Sequence, residues 1–492
     1  MPASDLPPAS RLIAGRPGGD AASPHGRRTV RANATRQDGS DANASTTEPL
    51  YALGIRPIWR FVVKQGPVFW LVLLYAFFEY VRPQQIYPVL DFVPWSKIIV
   101  PLGVALHLFQ GNGFRWGVTE GLLALFTLIV VLSSVMAVYP EESFAHIDVY
   151  FQWMVIYLLI TNTVTTERRF LVFLIFYLLW SFKMARSASW SWAMDGFAFR
   201  AWGAAGAPGW FENSGELGIQ MCIYVALLSN FINGLKRHWN RTKLLLAWGA
   251  LGMGFVAIVA TSSRGSELAG VCVVLWLVLK SKHRVRGLVW AVVLALIIAA
   301  ILPPEQIERM QASGTDGTSI NRKIYWAEGL DIASQNPALG IGYNNWAPYH
   351  KVHYGFIALP HNIFIEAAAQ LGYPGVLTFV ALIICTLLVN RQTRLVVKAL
   401  GDQGLFMMAM ATGLDAALVA FVVAGYFVTV LFYPYFWINL AMTVALNRAA
   451  QNAVAIARSP TAGRRAPHAV RKRTGFRIQH ATQANKDPLG GT

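Results

Sequence analysis

The chain has 492 residues, of which 55% are hydrophobic and 14% are charged. Soluble domains carry about 25% charged residues, so this composition excludes an ordinary soluble protein and indicates a polytopic membrane protein. The net charge of +17 is concentrated at the two ends of the chain. Basic tails beside a bilayer are typical of cytoplasmic segments, and no basic module with interleaved aromatic residues favours nucleic-acid binding.

Both ends of the chain are predicted to be tails. Residues 1–60 are rich in Ala, Ser, Pro, Gly and Arg and lack the apolar stretch of a signal peptide, which favours a disordered cytoplasmic tail. Residues 448–492 contain nine Lys/Arg and one acid and predict a second basic, disordered cytoplasmic tail. Residues 61–447 are predicted to form one transmembrane domain. Its three cysteines lie in apolar runs without metal-ligand spacing and are interpreted as buried thiols.

About twelve apolar segments between the tails are long enough to span a bilayer or nearly so. They cover 67–82, 97–111, 119–138, 147–164, 168–185, 216–234, 244–262, 266–281, 287–303, 364–390, 405–426 and 427–446. The predicted fold is therefore an all-α polytopic bundle of about twelve transmembrane helices.

The distribution of Lys and Arg predicts the orientation of this bundle. With the N-terminus inside, every second connection is basic, whereas the short outer connection 139–146 has two glutamates and no Lys or Arg. The basic C-terminal tail also falls inside, as an even number of helices requires. The basic inner connections carry Arg115, Arg168, Arg169, Lys236, Arg237, Arg241, Lys243, Lys280, Lys282, Arg284, Arg286, Arg391, Arg394 and Lys398.

Two outer segments are long, 186–215 and 304–363, and the second lies between the ninth and tenth helices. Both contain several tryptophans or tyrosines, among them Tyr343 and Trp346. Long loops in compact proteins are functional or disordered, and the aromatic content argues against disorder. These aromatic residues either form an interfacial belt or supply flat apolar faces against which sugar rings can pack.

His361 and Asn362 stand where the tenth apolar helix is predicted to begin, on the outer side. Pro360 precedes them, and proline tolerates a helix start after it. The positive end of a helix dipole disfavours imidazolium, so His361 would be a neutral ring able to accept a proton. The alternative is a His-Asn pair that only caps the helix.

Arg264, in TSSRGSELAG, lies at a short outer connection and breaks the positive-inside pattern, which marks a functional candidate. Its planar guanidinium suits a phosphate group, and Gly265 permits close approach of a ligand; the alternative is an arginine that reaches lipid headgroups. Arg322 and Lys323 lie in SINRKIYWAEGL, which predicts an amphipathic helix along the outer surface. Two separated arginines could bind a pyrophosphate without a metal, although Arg322 also fits a solvated helix face.

The sequence contains no metal, nucleotide or nucleophile-elbow motif, so no metal or cofactor is predicted. The runs SRGSELAG, RKIYWAEGLDIASQNPALGIGYNNW and PHNIFIEAAAQLGYPG, in that order, resemble the O-antigen ligase and polymerase family of bacterial envelope enzymes. The resemblance covers about residues 244–390, and the order and outer placement of its motifs carry it.

The resemblance implies a GT-C-like, metal-independent glycosyltransferase of the bacterial inner membrane, with a large periplasmic loop at 304–363 and an active site that faces the periplasm. The implied donor is a glycan on undecaprenyl diphosphate. Arg264 and Arg322 would hold the diphosphate, and His361 would deprotonate an acceptor hydroxyl on a lipid, a glycan or a protein. Asn362, Tyr343, Trp346 and Lys323 would contact substrate.

Two positions depart from the family pattern. Gln370 stands where relatives often have glutamate, whereas Glu366 lies one turn earlier, which leaves a carboxylate role open. Asn213, in GWFENSGELG, matches loosely an asparagine before the sixth helix and is a further candidate substrate contact.

The residues themselves leave other functions open. A transporter or flippase would have polar residues at mid-membrane depth, for which Asp415 is the main candidate. A scaffold that binds envelope glycans without turnover would use the same arginines. Donor-site residues cannot separate a ligase from a polymerase or from a protein glycosyltransferase.

Overall fold

The computed structural model describes residues 47–199, 203–281, 283–301, 307–308, 311–312 and 314–458, and within these ranges every regular element is a helix. In chain order they begin with α1 (Glu48–Tyr51), α2 (Ile55–Val63), α3 (Pro67–Tyr80), α4 (Pro83–Ile86), α5 (Trp95–Phe109), α6 (Val118–Val135), α7 (Pro140–Thr163) and α8 (Glu167–Met194). They continue with α9 (Ser214–Leu235), α10 (Arg241–Ala260), α11 (Arg264–Lys280), α12 (Arg284–Ile301), α13 (Gly317–Gln335), α14 (Trp346–Tyr354), α15 (Ile363–Val397), α16 (Leu405–Gly425) and α17 (Pro434–Arg458). The predicted all-α class is confirmed for this part of the chain.

Each of the twelve predicted apolar segments overlaps a helix, namely α3, α5 to α12 and α15 to α17. The start of the last segment is wrong, because residues 427–433 are largely apolar but not helical and α17 begins at Pro434. Among the described residues, six helical spans are long and apolar enough to cross a membrane, or up to seven if the bent pair at Ile55–Val63 and Pro67–Ile86 is one span. One of the six, Ile363–Gly425, contains both α15 and α16. The chain is a multi-pass membrane protein, and the count of twelve crossings stays a prediction.

Helix ends that the charge pattern assigns to the same side lie together in the structure. At the predicted outer end, the start of α7 is bonded to the segment before α14, and the segment before α9 is bonded to the end of α10. At the predicted inner end, basic connections contact one another and the N-terminal helices. The contacts are Ser143 Oγ to Tyr343 O (2.6 Å), Ala204 N to Ala260 O (2.9 Å), Arg115 N to Asn162 Oδ1 (3.0 Å) and Lys243 Nζ to Ala52 O (2.6 Å).

The core of the bundle lies around α9, whose residues are almost all buried. It packs closely on α16, since a Cβ at Gly413 would lie 2.9 Å from the Cβ of Asn230. It also packs on α11, where a Cβ at Gly218 would lie 2.2 Å from Ser266 Oγ. Small residues permit such close approach of helices where no hydrophobic effect drives their association. This packing brings the starts of α9 and α11 to the same end of the bundle.

Helix α15 is kinked at Gly372, whose φ of 69° is non-helical, two residues before Pro374. Pro374 has no N–H to donate to Gln370 O, and Tyr373 N donates to Pro337 O at 2.9 Å, so the carbonyls of Ala369 and Gln370 both lose their helical donors. The segment NPALGIG supplies the missing donors: Ile341 N bonds to Ala369 O at 2.8 Å, and Gly342 N bonds to Gln370 O at 3.1 Å. The segment NPALGIG, the most distinctive motif of the sequence, thus provides hydrogen-bond donors to the carbonyls that the kink leaves without helical partners.

The boundaries of both predicted tails change. Residues 1–46 lie outside the described residues, but α2 begins before residue 60, so the predicted N-terminal tail is too long. The C-terminal tail is also wrong at its start, because α17 continues to Arg458. The reason is a buried ion pair: Arg448 Nη2 lies 2.7 Å from Glu120 Oε1 on α6, and Tyr157 also donates to Glu120. A paired and hydrogen-bonded arginine belongs to a core rather than to a tail.

Asp415, the residue on which the transporter alternative depended, is also paired. Its Oδ2 lies 2.6 Å from Arg394 Nη1, and its Oδ1 accepts a hydrogen bond from Asn390 at 2.9 Å. This pair joins α15 to α16 and gives the buried carboxylate a structural role.

Candidate functional site

His361 lies at the predicted outer end of the bundle, two residues before α15. Its φ of 46° is in the left-handed region, which non-glycine residues rarely adopt. The backbone N–H of His361 donates to Thr429 Oγ1 at 2.9 Å, and its side chain is half-buried. Backbone strain of this kind persists where surrounding contacts hold it, and it is concentrated at active sites.

Asn362 caps α15. Its Oδ1 accepts hydrogen bonds from the N–H groups of Phe364 at 2.8 Å and Ile365 at 3.2 Å, and only 2% of the residue is exposed. This is the standard role of an N-cap asparagine. The side-chain oxygen of this buried residue is thus used by the cap, and a direct substrate contact of Asn362 stays a prediction.

Arg322 lies on α13, and its side chain is brought close to both His361 and Arg264. Burial, and after it the positive charge of Arg264, lowers the pKa of Arg322. Burial, and after it the positive charge of Arg322, lowers the pKa of His361 to about 4. The predicted neutral imidazole is therefore supported, but burial and a neighbouring arginine are its causes. The Nε of Arg322 is buried and has no hydrogen-bond partner among the described residues.

Arg264 is held at the start of α11 by Asp316, a residue that the sequence analysis missed. Arg264 Nη2 lies 2.6 Å from Asp316 Oδ2, and Asp316 Oδ1 accepts from Ser319 N at 3.2 Å as the N-cap of α13. Burial alone would raise the pKa of Asp316, but hydrogen bonds from Ser319 and Arg264 lower it below its usual value. The aspartate before GTS is a recognisable capping signal, although its arginine partner lies 52 residues away.

Lys323 faces away from this cluster. Its side chain is exposed, and its Nζ donates to Gly314 O at 2.9 Å, which closes the turn before α13. The predicted substrate contact of Lys323 thus gains no support from its position.

Tyr343 and Trp346 are each only 3% exposed, so neither ring offers a face to a sugar in this conformation. The Tyr343 ring packs 4.7 Å from that of Phe432, and its hydroxyl donates to His146 O at 3.2 Å. Trp346 Nε1 donates to Ala358 O at 3.0 Å. Both residues hold the outer segment in place, which differs from the predicted role of sugar platforms.

Asn213 lines an open cavity of ≈ 410 Å³ at the same end of the bundle. It is the N-cap of α9 and forms a capping box with Glu216. The cavity is lined by Gly203, Ala205, Gly209, Glu212, Asn213, Ser214, Glu216 and Tyr433. Its charged residues are both acidic, in contrast to the two arginines beside His361.

Residues 426–433, the connection between α16 and α17, form the wall that this cavity shares with the arginine cluster. A Cβ on Gly265 would lie 3.1 Å from Phe427, Thr429 binds the backbone of His361, and Tyr433 lines the cavity. Leu431 N donates to the buried carboxylate of Glu366 at 3.2 Å. The connection YFVTVLFY contains no charged residue, and its apolar sequence predicts the start of the twelfth helix rather than part of a site.

Arg264, Arg322 and His361 are thus brought together, whereas Asn213 lies across the 426–433 wall. Two guanidinium groups, one with an unused buried N–H, suit an oxyanion such as a phosphate, and a neutral imidazole beside them can accept a proton. Within the described ranges, no three His, Cys, Asp or Glu side chains are grouped so that they could hold a metal ion.

Residues 249–380 match the family described as O-antigen ligase. This segment contains Arg264, Arg322 and His361, and it excludes Asn213 and the 426–433 wall. A comparison of the chain with curated proteins found no match.

Proposed function

We propose that this chain, which carries the domain of the O-antigen ligase family over residues 249–380, transfers a glycan from a polyprenyl diphosphate to an acceptor hydroxyl. The family places the chain among the enzymes of glycan transfer in polysaccharide assembly. The observation that carries the finer proposal is the grouping of Arg264, Arg322 and His361 at one end of the bundle. We take undecaprenyl diphosphate as the lipid carrier and the periplasmic face of the inner membrane as the location.

The two arginines would bind the donor diphosphate. Each guanidinium can donate to phosphate oxygens, and Arg322 Nε is a buried donor that lacks a partner until an acceptor arrives. When the bond between the anomeric carbon and the diphosphate oxygen breaks, its electron pair stays on that oxygen. Fixed positive charges that face the departing oxygen stabilise this transition state. No step in this scheme requires a metal.

His361 would act as the general base. The acceptor oxygen forms a bond to the anomeric carbon from the face opposite the diphosphate, with inversion, and its proton passes to the His361 imidazole. A pKa of about 4 keeps the free imidazole unprotonated at neutral pH. Bound diphosphate would offset the charge of Arg322 and so raise the pKa of His361, which makes it a stronger base when the donor is present.

The acceptor would approach through the cavity that contains Asn213. Glu212 and Glu216 would repel the anionic diphosphate and accept hydrogen bonds from sugar hydroxyls. The 426–433 wall lies between this cavity and His361, so donor and acceptor are kept in separate places until they meet at the base. A lipid-linked glycan, a lipid A core and a protein hydroxyl all remain acceptors that this arrangement would admit.

The proposal is tested by His361→Ala in cells that lack the wild-type protein. Loss of a general base typically costs about 10²- to 10⁴-fold in rate, so we expect lipid-linked glycan to accumulate and the acceptor to stay unmodified. His353→Ala is the matched control, because His353 is an exposed histidine of the same outer segment. Normal glycan transfer by His361→Ala, at the abundance of the wild type, would refute the role of His361.

A further inference from the structure

The five residues before His361 are held by hydrogen bonds from three aromatic ring nitrogens. His350 Nδ1 bonds to Phe356 O at 2.8 Å, Trp346 Nε1 to Ala358 O at 3.0 Å, and Trp326 Nε1 to Pro360 O at 3.0 Å. Every second carbonyl of residues 356–360 is therefore bound.

The three donors connect His361 to the helices around it. Trp326 and Arg322 are four residues apart on α13 and lie on the same helix face. The bond from Trp326 to the carbonyl of Pro360 therefore places Arg322 beside the next residue, His361. His350 makes a second link to α13, because its Nε2 lies 3.3 Å from Glu328 Oε2.

The donor His350 is buried and surrounded by aromatic rings. His350 is 1% exposed and packs among Tyr325, Trp346, Tyr354 and Phe356, with ring centroids 4.6 to 6.2 Å away. The side chains of Ile357 and Leu359 are exposed, in contrast, and Phe356 is about half exposed apart from its contact with His350. The place of this segment therefore depends mainly on its bound carbonyls.

The left-handed backbone of His361 explains why such a support is needed. A non-glycine residue in this region is strained and relaxes unless its neighbours prevent it. Thr429 fixes the N–H of His361, and Asn362 fixes the helix that follows. The three ring donors fix the chain that precedes it.

We propose that Trp326, Trp346 and His350 are positioning residues that form a rack for residues 356–360 and thereby hold His361 beside Arg322. This inference rests on the proposed role of His361 as the base. A rack of this kind sets the distance between the imidazole and the diphosphate site without touching substrate.

The rack is tested with variants that remove single donors. Trp326→Phe and Trp346→Phe delete one N–H each and keep an aromatic ring. His350→Asn keeps a donor near the position of Nδ1, which serves Phe356, whereas His350→Gln keeps a group near Nε2, which serves Glu328. Trp192→Phe is the matched control, since Trp192 Nε1 also donates to a carbonyl, that of Ala198, at 3.0 Å outside the rack.

Two measurements separate the rack from the proposed function, the first on the purified full chain and the second in cells. One is the rate at which diethyl pyrocarbonate modifies His361, followed by mass spectrometry, with exposed His353 as the internal reference. The other is glycan transfer in cells. Loss of one hydrogen bond changes an equilibrium constant by about fivefold. We therefore expect His361 to be modified about fivefold faster in Trp326→Phe, Trp346→Phe and His350→Gln, and we expect these variants to transfer glycan more slowly. We expect His350→Asn to stay near the wild type, with melting temperatures checked for every variant.

The outcomes are distinguishable. If the three variants match Trp192→Phe in both measurements while His361→Ala is inactive, the rack is refuted and the proposed function stands. If modification is faster in the rack variants but His361→Ala still transfers glycan, the rack stands and the proposed base is refuted. If His350→Asn is as impaired as His350→Gln, the bond to Phe356 is not the feature that positions His361.

Discussion

At the scale of single residues, the site depends on how burial and charge act on one imidazole. His361 is placed next to Arg322 in a half-buried position, and both effects disfavour its protonation. Arg322, one of the two arginines that would bind the diphosphate, therefore helps to hold the base in its unprotonated form before the donor arrives. Donor binding then removes part of this effect, so the strength of the base is coupled to occupation of the site.

This coupling predicts the pH dependence of the reaction. A base with a pKa of about 4 is active above that pH and loses activity as the pH falls through it, so kcat/KM for the donor should decline near pH 4. The acid limb of kcat should lie at higher pH, because kcat reports the donor complex. Arg322→Gln should move the acid limb of kcat/KM to higher pH, since the substitution removes a charge that lowers the pKa of His361. Assays of glycan transfer between pH 3.5 and 8 check this prediction. The control is that activity recovers when the enzyme is returned to pH 7. Coincident limbs would contradict the coupling.

At the scale of elements, α13 organises the site. Its N-cap Asp316 holds Arg264, its second turn carries Arg322, and Trp326 and Glu328 bind the segments that lead to His361. The three groups of the proposed reaction are therefore positioned by one helix, although they come from three separate stretches of chain.

Two substitutions of Asp316 separate its two roles. Asp316→Asn keeps a side-chain oxygen for the cap but removes the charge that holds Arg264, so we expect the KM for the donor to rise about fivefold with little change in stability. Asp316→Ala also loses the cap, which should lower the free energy of unfolding by about 1 kcal/mol. Transfer kinetics and melting temperatures measure both effects. An unchanged KM in both variants would show that Arg264 keeps its place without Asp316.

At the scale of the whole molecule, the helices bring all proposed site residues to one end of the bundle and the basic connections to the other. Buried pairs such as Glu120 with Arg448 join distant parts of the chain, and breaking one partner of such a pair is costly. The arginine cluster thus lies at the end of the bundle opposite the basic connections that predict the inner side.

The sidedness of these ends is a prediction that thiol labelling can test. We expect an impermeant maleimide to label Thr318→Cys in intact spheroplasts and to label Asn112→Cys only after the membrane is permeabilised. Both positions are exposed and lie at opposite ends of the bundle. The wild-type chain is the control, because Cys222 and Cys385 are buried and Cys272 is half-buried. Labelling of Asn112→Cys before permeabilisation would reverse the orientation.

Much of this arrangement follows from the sequence alone. The apolar segments predicted the helices α3, α5 to α12 and α15 to α17, because burial in lipid requires long apolar runs whose backbone bonds are satisfied within each helix. The ordered motifs around Arg264, Arg322 and His361 predicted a resemblance to the O-antigen ligase family, and residues 249–380 match that family.

Only the tertiary structure decided which side chains meet. Local patterns contain no information about the pairing of Arg264 with Asp316, of Asp415 with Arg394, or of Arg448 with Glu120. The burial of Tyr343 and Trp346, and the uncharged 426–433 wall beside His361, likewise arise from contacts between distant segments. An apolar run and a helix cap are set by neighbours along the chain, whereas charge pairing and burial are set by neighbours in space.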